Sequence, residues 1–323
     1  GGIGLGLMGR AGPAGCCGGD TRHAVPREHV AGPGRPRLVS VGRSVVDGLL
    51  LIHSPESTQR GRRVCQTRTD RWQALDGRDQ VSANIADFLH DSAQRHPDAI
   101  CVIVGDSRYT WADVDRDASN VAAGLLARGL HPGDRIAMLL GNTYEFVALY
   151  FAAARAGLVS VPLNPAYTSA EVAVLLADSG ARMLVVQPST LVVGEESADA
   201  LPGCELVNAA DAQWRTIAQV GSTLPLVDVP TTPETLALLL FTAGTSGRPK
   251  GAMLTHGALR ANIEMLLSLS DPPAVLDRDV VLMVLPMFHV YGLNTALGLA
   301  VAAGATCVLV DRFDPVDSLR LIA

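Results

Sequence analysis

The chain has 323 residues, of which 48% are hydrophobic and 18% are charged. This apolar fraction excludes a wholly disordered protein, because it provides ample surface for a buried core. The net charge of −6 argues against a nucleic acid as a partner of the whole molecule.

Charge divides the chain into two segments. Residues 1–80 carry 12 basic and 7 acidic side chains, a net of +5, whereas residues 81–323 carry 14 and 25, a net of −11. The first segment, here called the head, is rich in Gly and Arg, and only residues 38–41 and 45–52 favour short elements. It lacks the order of a secretory signal, in which a basic region precedes an apolar one. We hypothesise that the head is disordered or spurious and arises from translation upstream of the true start.

The head contains a glycine pattern that resembles a dinucleotide-binding fingerprint. Gly4, Gly6 and Gly9 match G-x-G-x-x-G. That fingerprint needs a strand before it and a helix after it, so that helical amides face the pyrophosphate. Only three residues precede Gly4, and the glycines and proline that follow disfavour a helix. NAD binding by a dehydrogenase therefore remains a minor alternative.

Residues 81–323 alternate between strand and helix patterns. Thr110 and Asp113 form a potential capping box before a helix, and Thr168 or Ser169 begins another. Residues 188–233 look irregular and are predicted to be a connecting region. Alternation at this spacing predicts an α/β fold with a parallel sheet covered on both faces. The predicted strands cover residues 100–104, 135–140, 159–163, 183–186, 236–241, 280–285 and 305–310. The predicted helices contain residues 85–89, 114–125, 144–156, 169–178, 259–266 and 292–303, and the second of them ends at Gly129.

A run without formal charge extends over residues 280–310 and is long enough to span a bilayer. Pro286, His289 and Asn294 interrupt it, and the run divides into a predicted strand at 280–285, a helix at 292–303 and a strand at 305–310. We therefore expect no transmembrane span. Cys101, Cys204 and Cys307 are far apart in sequence and have no metal-ligand spacing, which fits a reducing cytoplasm.

A loop rich in small and hydroxylated residues follows the predicted strand at 236–241. Backbone amides of such a loop can approach anionic oxygens, the hydroxyls can donate further hydrogen bonds, and Lys250 adds a cation. The loop is not a Walker A motif, because Pro249 precedes the lysine and Gly251 follows it. The candidate phosphate-binding residues are Thr242, Ala243, Gly244, Thr245, Ser246, Gly247 and Lys250.

Lys250 is the only lysine among 26 basic residues. A compact ammonium on a flexible stem differs chemically from a planar guanidinium. This suggests a position at which arginine would not serve.

Residues 241–251 resemble the signature loop of the adenylate-forming (AMP-binding) superfamily, written [YF]-T-[SA]-G-T-[TS]-G-x-P-K-G. Residues 285–293, which begin Leu285-Pro286-Met287-Phe288-His289, resemble the family's next motif, L-P-x-F-H-x-x-G. The resemblance covers about residues 81–323 and is strongest to acyl-CoA synthetases, the fatty-acid and coumarate-type CoA ligases. It implies the layered αβαβα large domain of an adenylate-forming enzyme, present in its first part and incomplete at the C-terminus.

The resemblance also implies an activity and roles for individual residues. Such enzymes join a small carboxylic acid to ATP, release pyrophosphate, and then transfer the acyl group to CoA. Thr242 matches a residue that helps to hold Mg²⁺ in some relatives. His289, Tyr291 and Gly292 match the acyl pocket, and Arg312 matches a basic residue near CoA. No catalytic residue is identifiable, because the family's catalytic lysine and ribose-binding aspartate follow the last motif found here.

Besides the dehydrogenase, three further alternatives to a CoA ligase remain open. The chain could belong to an adenylation domain that loads a carrier protein, to a luciferase-like enzyme, or to a non-catalytic remnant. As it stands, we expect the chain to be inactive alone. The acyl substrate and the oligomeric state are left open by the sequence.

Overall fold

The computed structural model describes residues 51–52, 83–227, 229–242, 249–269 and 275–322. The strands are β1 (Leu51–Ile52), β2 (Ile100–Val104), β3 (Ser107–Thr110), β4 (Arg135–Leu139), β5 (Val159–Pro162), β6 (Ala181–Val186), β7 (Glu205–Asn208), β8 (Leu236–Thr242), β9 (Lys250–Thr255), β10 (Val280–Met283) and β11 (Thr306–Leu309). The α-helices are α1 (Asp87–Arg95), α2 (Trp111–Ala127), α3 (Tyr144–Arg155), α4 (Ser169–Ser179), α5 (Leu191–Asp199), α6 (Ala212–Gly221), α7 (His256–Ser268), α8 (Leu299–Ala303) and α9 (Pro315–Ile322). A 3₁₀ turn occupies Pro188–Thr190, and a π-helix at Tyr291–Gly298 leads directly into α8.

The described strands form two sheets. The order of the first is β1-β10-β11-β2-β3, in which β10, β11 and β2 are parallel and both edge strands are antiparallel. The order of the second is β7-β6-β4-β5-β8-β9, which is parallel except for the antiparallel pair β8–β9. The predicted mixed α/β fold with parallel strands is therefore confirmed, and the two sheets agree with the αβαβα layers that the family resemblance implied.

Alternation along β4 explains how the second sheet is covered on both faces. Ile136 and Met138 belong to a core cluster that also contains α2 and α3 residues. Ala137 and Leu139 belong to a second cluster, which includes buried residues of α4. Successive strand residues point to opposite faces, so each face needs its own helical cover.

The larger core cluster also links the two sheets. It contains Val102 and Cys307 from the first sheet and Leu238 from the second, with helical residues between them. A layer of helices therefore separates the sheets, as in the layered architecture that the sequence resemblance implied.

Local capping signals begin the helices where the sequence predicted them. Thr110 accepts a hydrogen bond from the Asp113 amide, and the Asp113 carboxylate accepts one from the Thr110 amide. These backbone and side-chain bonds lower the pKa of Asp113. Thr168 and Glu171 form the same reciprocal box before α4.

The prediction of an irregular connection over residues 188–233 is wrong. The segment contains α5, β7 and α6. The buried positions of α5 are Gly194 and Ser197, so the helix has no apolar stripe to detect. In α6, Trp214, Ile217 and Gly221 are buried at helical spacing, but one of the three is a glycine.

Two residues of the head lie in the described part of the chain. Leu51–Ile52 pairs antiparallel with β10 at the edge of the first sheet. The other residues of the head, including the glycine pattern at 4–9, lie outside the described residues. The division at residue 80 stays a prediction.

The long uncharged run forms β10, the π-helix with α8, and β11, as the sequence predicted. Within the residues described, no helix is both long enough and apolar enough to cross a membrane.

Candidate functional site

The carboxyl end of β4 meets the segment that follows β10. Asn142 follows β4 and is 5% exposed. Its amide nitrogen donates to the carbonyl oxygens of Met283 and Leu285, each at 3.0 Å. The two sheets therefore meet at the carboxyl ends of their parallel strands, which is where open α/β sheets bind ligands.

Residues 285–292, here called the pocket loop, form an open pocket of about 320 Å³. The pocket includes three residues that the sequence placed in a substrate site, namely His289, Tyr291 and Gly292. It is lined by Leu285, Pro286, Phe288, His289, Tyr291 and Gly292.

His289 is exposed in this pocket. Its Nδ1 accepts a hydrogen bond from the Tyr291 amide at 3.3 Å. In the neutral ring that bond places the proton on Nε2. His289 can therefore offer an N–H donor to an anionic oxygen in the pocket.

Gly292 has a structural reason to lack a side chain. A Cβ at this position would overlap the carbonyl oxygen of Pro286 and lie 3.1 Å from that of Leu285. The glycine allows the π-helix to begin directly against the pocket loop. π-Helical turns occur frequently at functional sites.

The lysine of the signature loop lies opposite Thr242 in a hairpin. Thr242 ends β8, Lys250 begins β9, and the two residues are direct partners in the antiparallel register. The Thr242 hydroxyl donates to the Lys250 carbonyl oxygen at 3.4 Å, and both residues are exposed. Because paired residues share one side of a sheet, the Thr242 and Lys250 side chains leave this end of the hairpin on the same face. The residues between them that the sequence assigned to phosphate binding, Ala243, Gly244, Thr245, Ser246 and Gly247, lie outside the described residues.

Helix α7 connects this hairpin to the pocket. It begins at His256, directly after β9. Asn294 of the π-helix donates to the carbonyl oxygen of Leu259 at 3.3 Å and to Asn262 Oδ1 at 2.9 Å. The strand that carries Lys250 thus continues into a helix that is bonded to the element behind the pocket.

His256 fixes the start of α7. The side chain is fully buried, and its Nδ1 accepts a hydrogen bond from the Ile85 amide at 3.1 Å. Burial, followed by the nearby Arg260 guanidinium, lowers the pKa of His256 from 6.5 to about 4. The imidazole is therefore neutral at pH 7 and acts as an acceptor.

The described residues of this region could provide one ligand to a magnesium ion, the Thr242 hydroxyl. In the portion of the chain that the structure describes, no three His, Cys, Asp or Glu side chains lie together in a way that could hold a metal ion. Mg²⁺ usually keeps waters and takes one or two protein ligands plus substrate phosphates. The Thr242 hydroxyl fits one such ligand, so its assignment to the metal stays a prediction.

Arg312 is exposed and is not among the residues that line the pocket. It follows β11, which runs parallel to β10, so both strands lead to the same edge of the first sheet. The carboxylate of the preceding residue, Asp311, occupies the space beside the Gly141 Cα. The assignment of Arg312 to CoA stays a prediction.

Asn142 is the residue of this region that sequence reasoning missed. The available signal was a polar side chain directly after a buried apolar strand. Its partners lie more than 140 positions away, so no local pattern connected it to the pocket loop.

The sequence of residues 89–323 matches the family described as AMP-binding enzyme. One curated relative is 4-coumarate–CoA ligase 5 of Oryza sativa subsp. japonica, which is 35% identical over 245 residues. That similarity covers 73% of this chain and 44% of the relative.

Solved structures agree with this assignment. ATP-bound MatB from Rhodopseudomonas palustris superimposes with a TM-score of 0.66 at 30% identity, covering 75% of this chain and 48% of that protein. A fatty acyl CoA synthetase of Mycobacterium tuberculosis gives 0.65 at 27% identity, covering 75% and 47%. The chain thus spans less than half the length of each of these three proteins.

Proposed function

Because this chain belongs to the AMP-binding enzyme family, we propose that it is the ATP- and acid-binding part of an AMP-forming acid–CoA ligase. The observation that carries the proposal is that one family match, over residues 89–323, includes both the Thr242–Lys250 hairpin and the pocket loop. Its relatives include a coumarate–CoA ligase and a fatty acyl CoA synthetase.

The proposed reaction has two steps. A carboxylate oxygen attacks the α-phosphorus of ATP, the bond to the bridging oxygen of the β-phosphate breaks, and pyrophosphate leaves. The CoA sulfur then attacks the acyl carbon, AMP leaves with the electron pair of the broken C–O bond, and the thiol proton passes to solvent. Both steps develop negative charge that the protein must neutralise.

Lys250 and Thr242 are proposed to bind the ATP phosphates. An ammonium and a hydroxyl on one side of the hairpin can contact two phosphate oxygens, and hydrogen bonds to charged groups contribute roughly 1.5–3 kcal/mol each. Residues 243–247 are proposed to add backbone amides and hydroxyls. Thr242 would help to hold Mg²⁺, and the ion would supply positive charge to neutralise part of the charge of the pyrophosphate.

The pocket loop is proposed to bind the carboxylic acid. His289 offers an Nε2–H donor, and the lining is otherwise largely apolar. This combination suits an acid whose carboxylate contacts the ring while its body contacts Phe288 and Tyr291. CoA remains the proposed acceptor with Arg312 beside it, and the three free described cysteines support a reducing compartment such as the cytoplasm.

The reaction class can be tested in a hybrid protein. Residues 89–323 are joined to the part of the rice 4-coumarate–CoA ligase that this chain does not cover, and exchange of labelled pyrophosphate into ATP is measured with 4-coumarate and with fatty acids. The proposal predicts exchange that requires an acid and that yields an acyl-CoA when CoA is added. A folded hybrid that binds ATP and shows no acid-dependent exchange would contradict it.

A further inference from the structure

Asn142 is a buried amide whose hydrogen-bonding groups are all directed at the segment that carries the pocket loop. Its Nδ2 donates to the carbonyl oxygens of Met283 and Leu285, and its Oδ1 accepts from the Met287 amide at 2.8 Å. An asparagine amide has two N–H donors and one carbonyl oxygen, so one side chain satisfies three backbone groups here.

Two of those backbone groups, on Leu285 and Met287, lie beyond the regular ladder, and the third belongs to Met283, the last residue of β10. Strand β10 ends at Met283, and the following residues up to 289 form neither strand nor helix. Buried backbone polar groups need partners, and an irregular segment must find them in side chains or water. Asn142 supplies them at the point where the chain turns from the sheet into the pocket loop.

The bonds continue from this point to His289. The His289 amide donates to the Pro286 carbonyl oxygen at 3.1 Å, and the Leu293 amide donates to the His289 carbonyl oxygen at 2.9 Å. Pro286 lies between the two residues that Asn142 contacts on the loop. The position of the His289 backbone therefore follows from the conformation that Asn142 imposes.

The residues before and after Asn142 in the chain are both held by hydrogen bonds. The Gly141 amide donates to Gln187 Oε1 at 2.6 Å, and the Thr143 hydroxyl caps α3 by accepting from the Phe146 amide at 3.2 Å. Met287, whose amide donates the third bond, is fully buried. A fixed side chain thus contacts a fixed residue inside a loop whose Pro286 and His289 are exposed.

We propose that Asn142 is a positioning residue, which sets the conformation of the pocket loop and thereby aims the Nε2–H of His289. Only the identity of the ligand, a carboxylic acid, rests on the proposed function. Asparagine suits the role because aspartate would retain the acceptor for Met287 and place a carboxylate against two carbonyl oxygens. Alanine would leave all three backbone groups without this partner.

The structural part is tested on the chain by NMR, without any ligand. Asn142→Ala should speed hydrogen exchange of the Met287 amide at least about tenfold and should alter the ring ¹⁵N signals of His289, which a His289→Gln variant assigns. Asn142→Asp should leave the Met287 amide protected and still alter the His289 signals. Unchanged amide protection in folded Asn142→Ala, or unchanged His289 signals in both folded variants, would overturn the proposal.

Asn84 provides a matched control. It is also a buried asparagine, with Nδ2 donating to the Ala154 carbonyl oxygen at 2.8 Å and Oδ1 accepting from the Ala86 amide at 2.9 Å. Asn84→Ala removes comparable bonds. It should leave the hydrogen exchange of the Met287 amide and the ring ¹⁵N signals of His289 unchanged. If neither Asn142 variant folds, hydrogen exchange of the Asn142 side-chain amide protons is measured in the unmodified chain. Slow exchange of these protons supports the three bonds, and rapid exchange overturns them.

A ligand experiment separates this proposal from the proposed function. The dissociation constant of 4-coumarate, measured by NMR, should rise at least about tenfold in Asn142→Asp, whereas that of ATP should not change. An unchanged constant for the acid in a variant with altered His289 signals would overturn the positioning role. If the unmodified chain binds neither 4-coumarate nor a fatty acid, the proposed function fails, while the exchange data still decide whether Asn142 holds the loop.

Discussion

At the scale of single residues, Lys250 combines two independent observations. It is the only lysine among 26 basic residues, and it lies at the end of a hairpin directly opposite the Thr242 hydroxyl. An ammonium can approach one phosphate oxygen closely from a flexible stem, whereas a guanidinium is planar and needs a matching fork of acceptors. The position therefore has a chemical reason to differ from the 25 arginines.

Replacing Lys250 should slow adenylate formation in the hybrid protein. Lys250→Ala should reduce pyrophosphate exchange by about 10²–10³-fold, as expected for the loss of one preorganised donor. Lys250→Arg should also be impaired because of its different geometry. Arg108→Ala, which removes an exposed cation from β3, is the control and should exchange normally. A normal rate in Lys250→Arg would refute the argument from the single lysine.

His256 should make the stability of the chain depend on pH. Its pKa is about 4 in the folded protein and near 6.5 when exposed, so the unfolded chain binds the proton more readily. The stabilisation is complete above pH 6.5 and is lost as the pH falls towards 4, by about 3 kcal/mol in total. Urea unfolding at several pH values should show this slope, and His256→Asn should remove most of it. Equal slopes in His256→Asn and in the exposed-histidine control His131→Asn would contradict the assignment.

At the scale of elements, helices α2 and α6 pack through two glycines. A Cβ on Gly124 would overlap the carbonyl oxygen of Ile217, and one on Gly221 would overlap that of Asn120. Because both obstacles are backbone atoms, a rotamer change cannot relieve them. The helices can adopt this distance only with glycine at both positions.

Gly124→Ala should therefore destabilise the fold despite the better helix propensity of alanine. Overpacking of this kind lowers the free energy of unfolding by about 1–3 kcal/mol, which chemical denaturation can measure. Ala112→Ser adds one atom at an exposed position of the same helix and should change that free energy by less than about 0.5 kcal/mol. Equal stability of Gly124→Ala and the unmodified chain would show that the helices can separate without penalty.

Elements were predictable where the signal was local. The capping box at Thr110 gave the start of α2, and Thr168 was one of two predicted caps for α4, since each signal is complete within four residues. Helix α5 was missed because its buried face consists of a glycine and a serine. Whether an element could be predicted depended on how close its signal residues lie in the sequence, more than on whether the element is a helix or a strand.

The same distinction applies to the site. His289, Tyr291 and Gly292 were recognisable because they are adjacent within one motif, and the structure brings them together in one pocket. The division into two sheets came only from the family resemblance, because β2 pairs with β11 about 200 residues later and no local pattern shows that pairing. The contact of Asn142 with the pocket loop depends on that arrangement and was invisible for the same reason.

At the scale of the whole molecule, the family match begins at residue 89 and the buried core includes residues from Ile85 onward. Removal of residues 1–80 should therefore leave a folded domain. It would remove the two-residue pairing of β1 with β10, so the melting temperature should fall by no more than a few degrees. Aggregation or loss of cooperative unfolding in the shortened chain would show that the head is part of the domain.

The central claim is that this chain contains separate contacts for ATP and for a carboxylic acid, and binding of the two ligands by variants of the chain tests it most directly. Saturation-transfer NMR should detect both ATP and 4-coumarate or a fatty acid. Lys250→Ala should lower the affinity for ATP by about 10–100-fold, the equivalent of one charged hydrogen bond, and should leave the affinity for the acid unchanged. His289→Ala should lower the affinity for the acid and should leave the affinity for ATP unchanged. Binding of neither ligand, or equal loss of both ligands in each variant, would contradict the account.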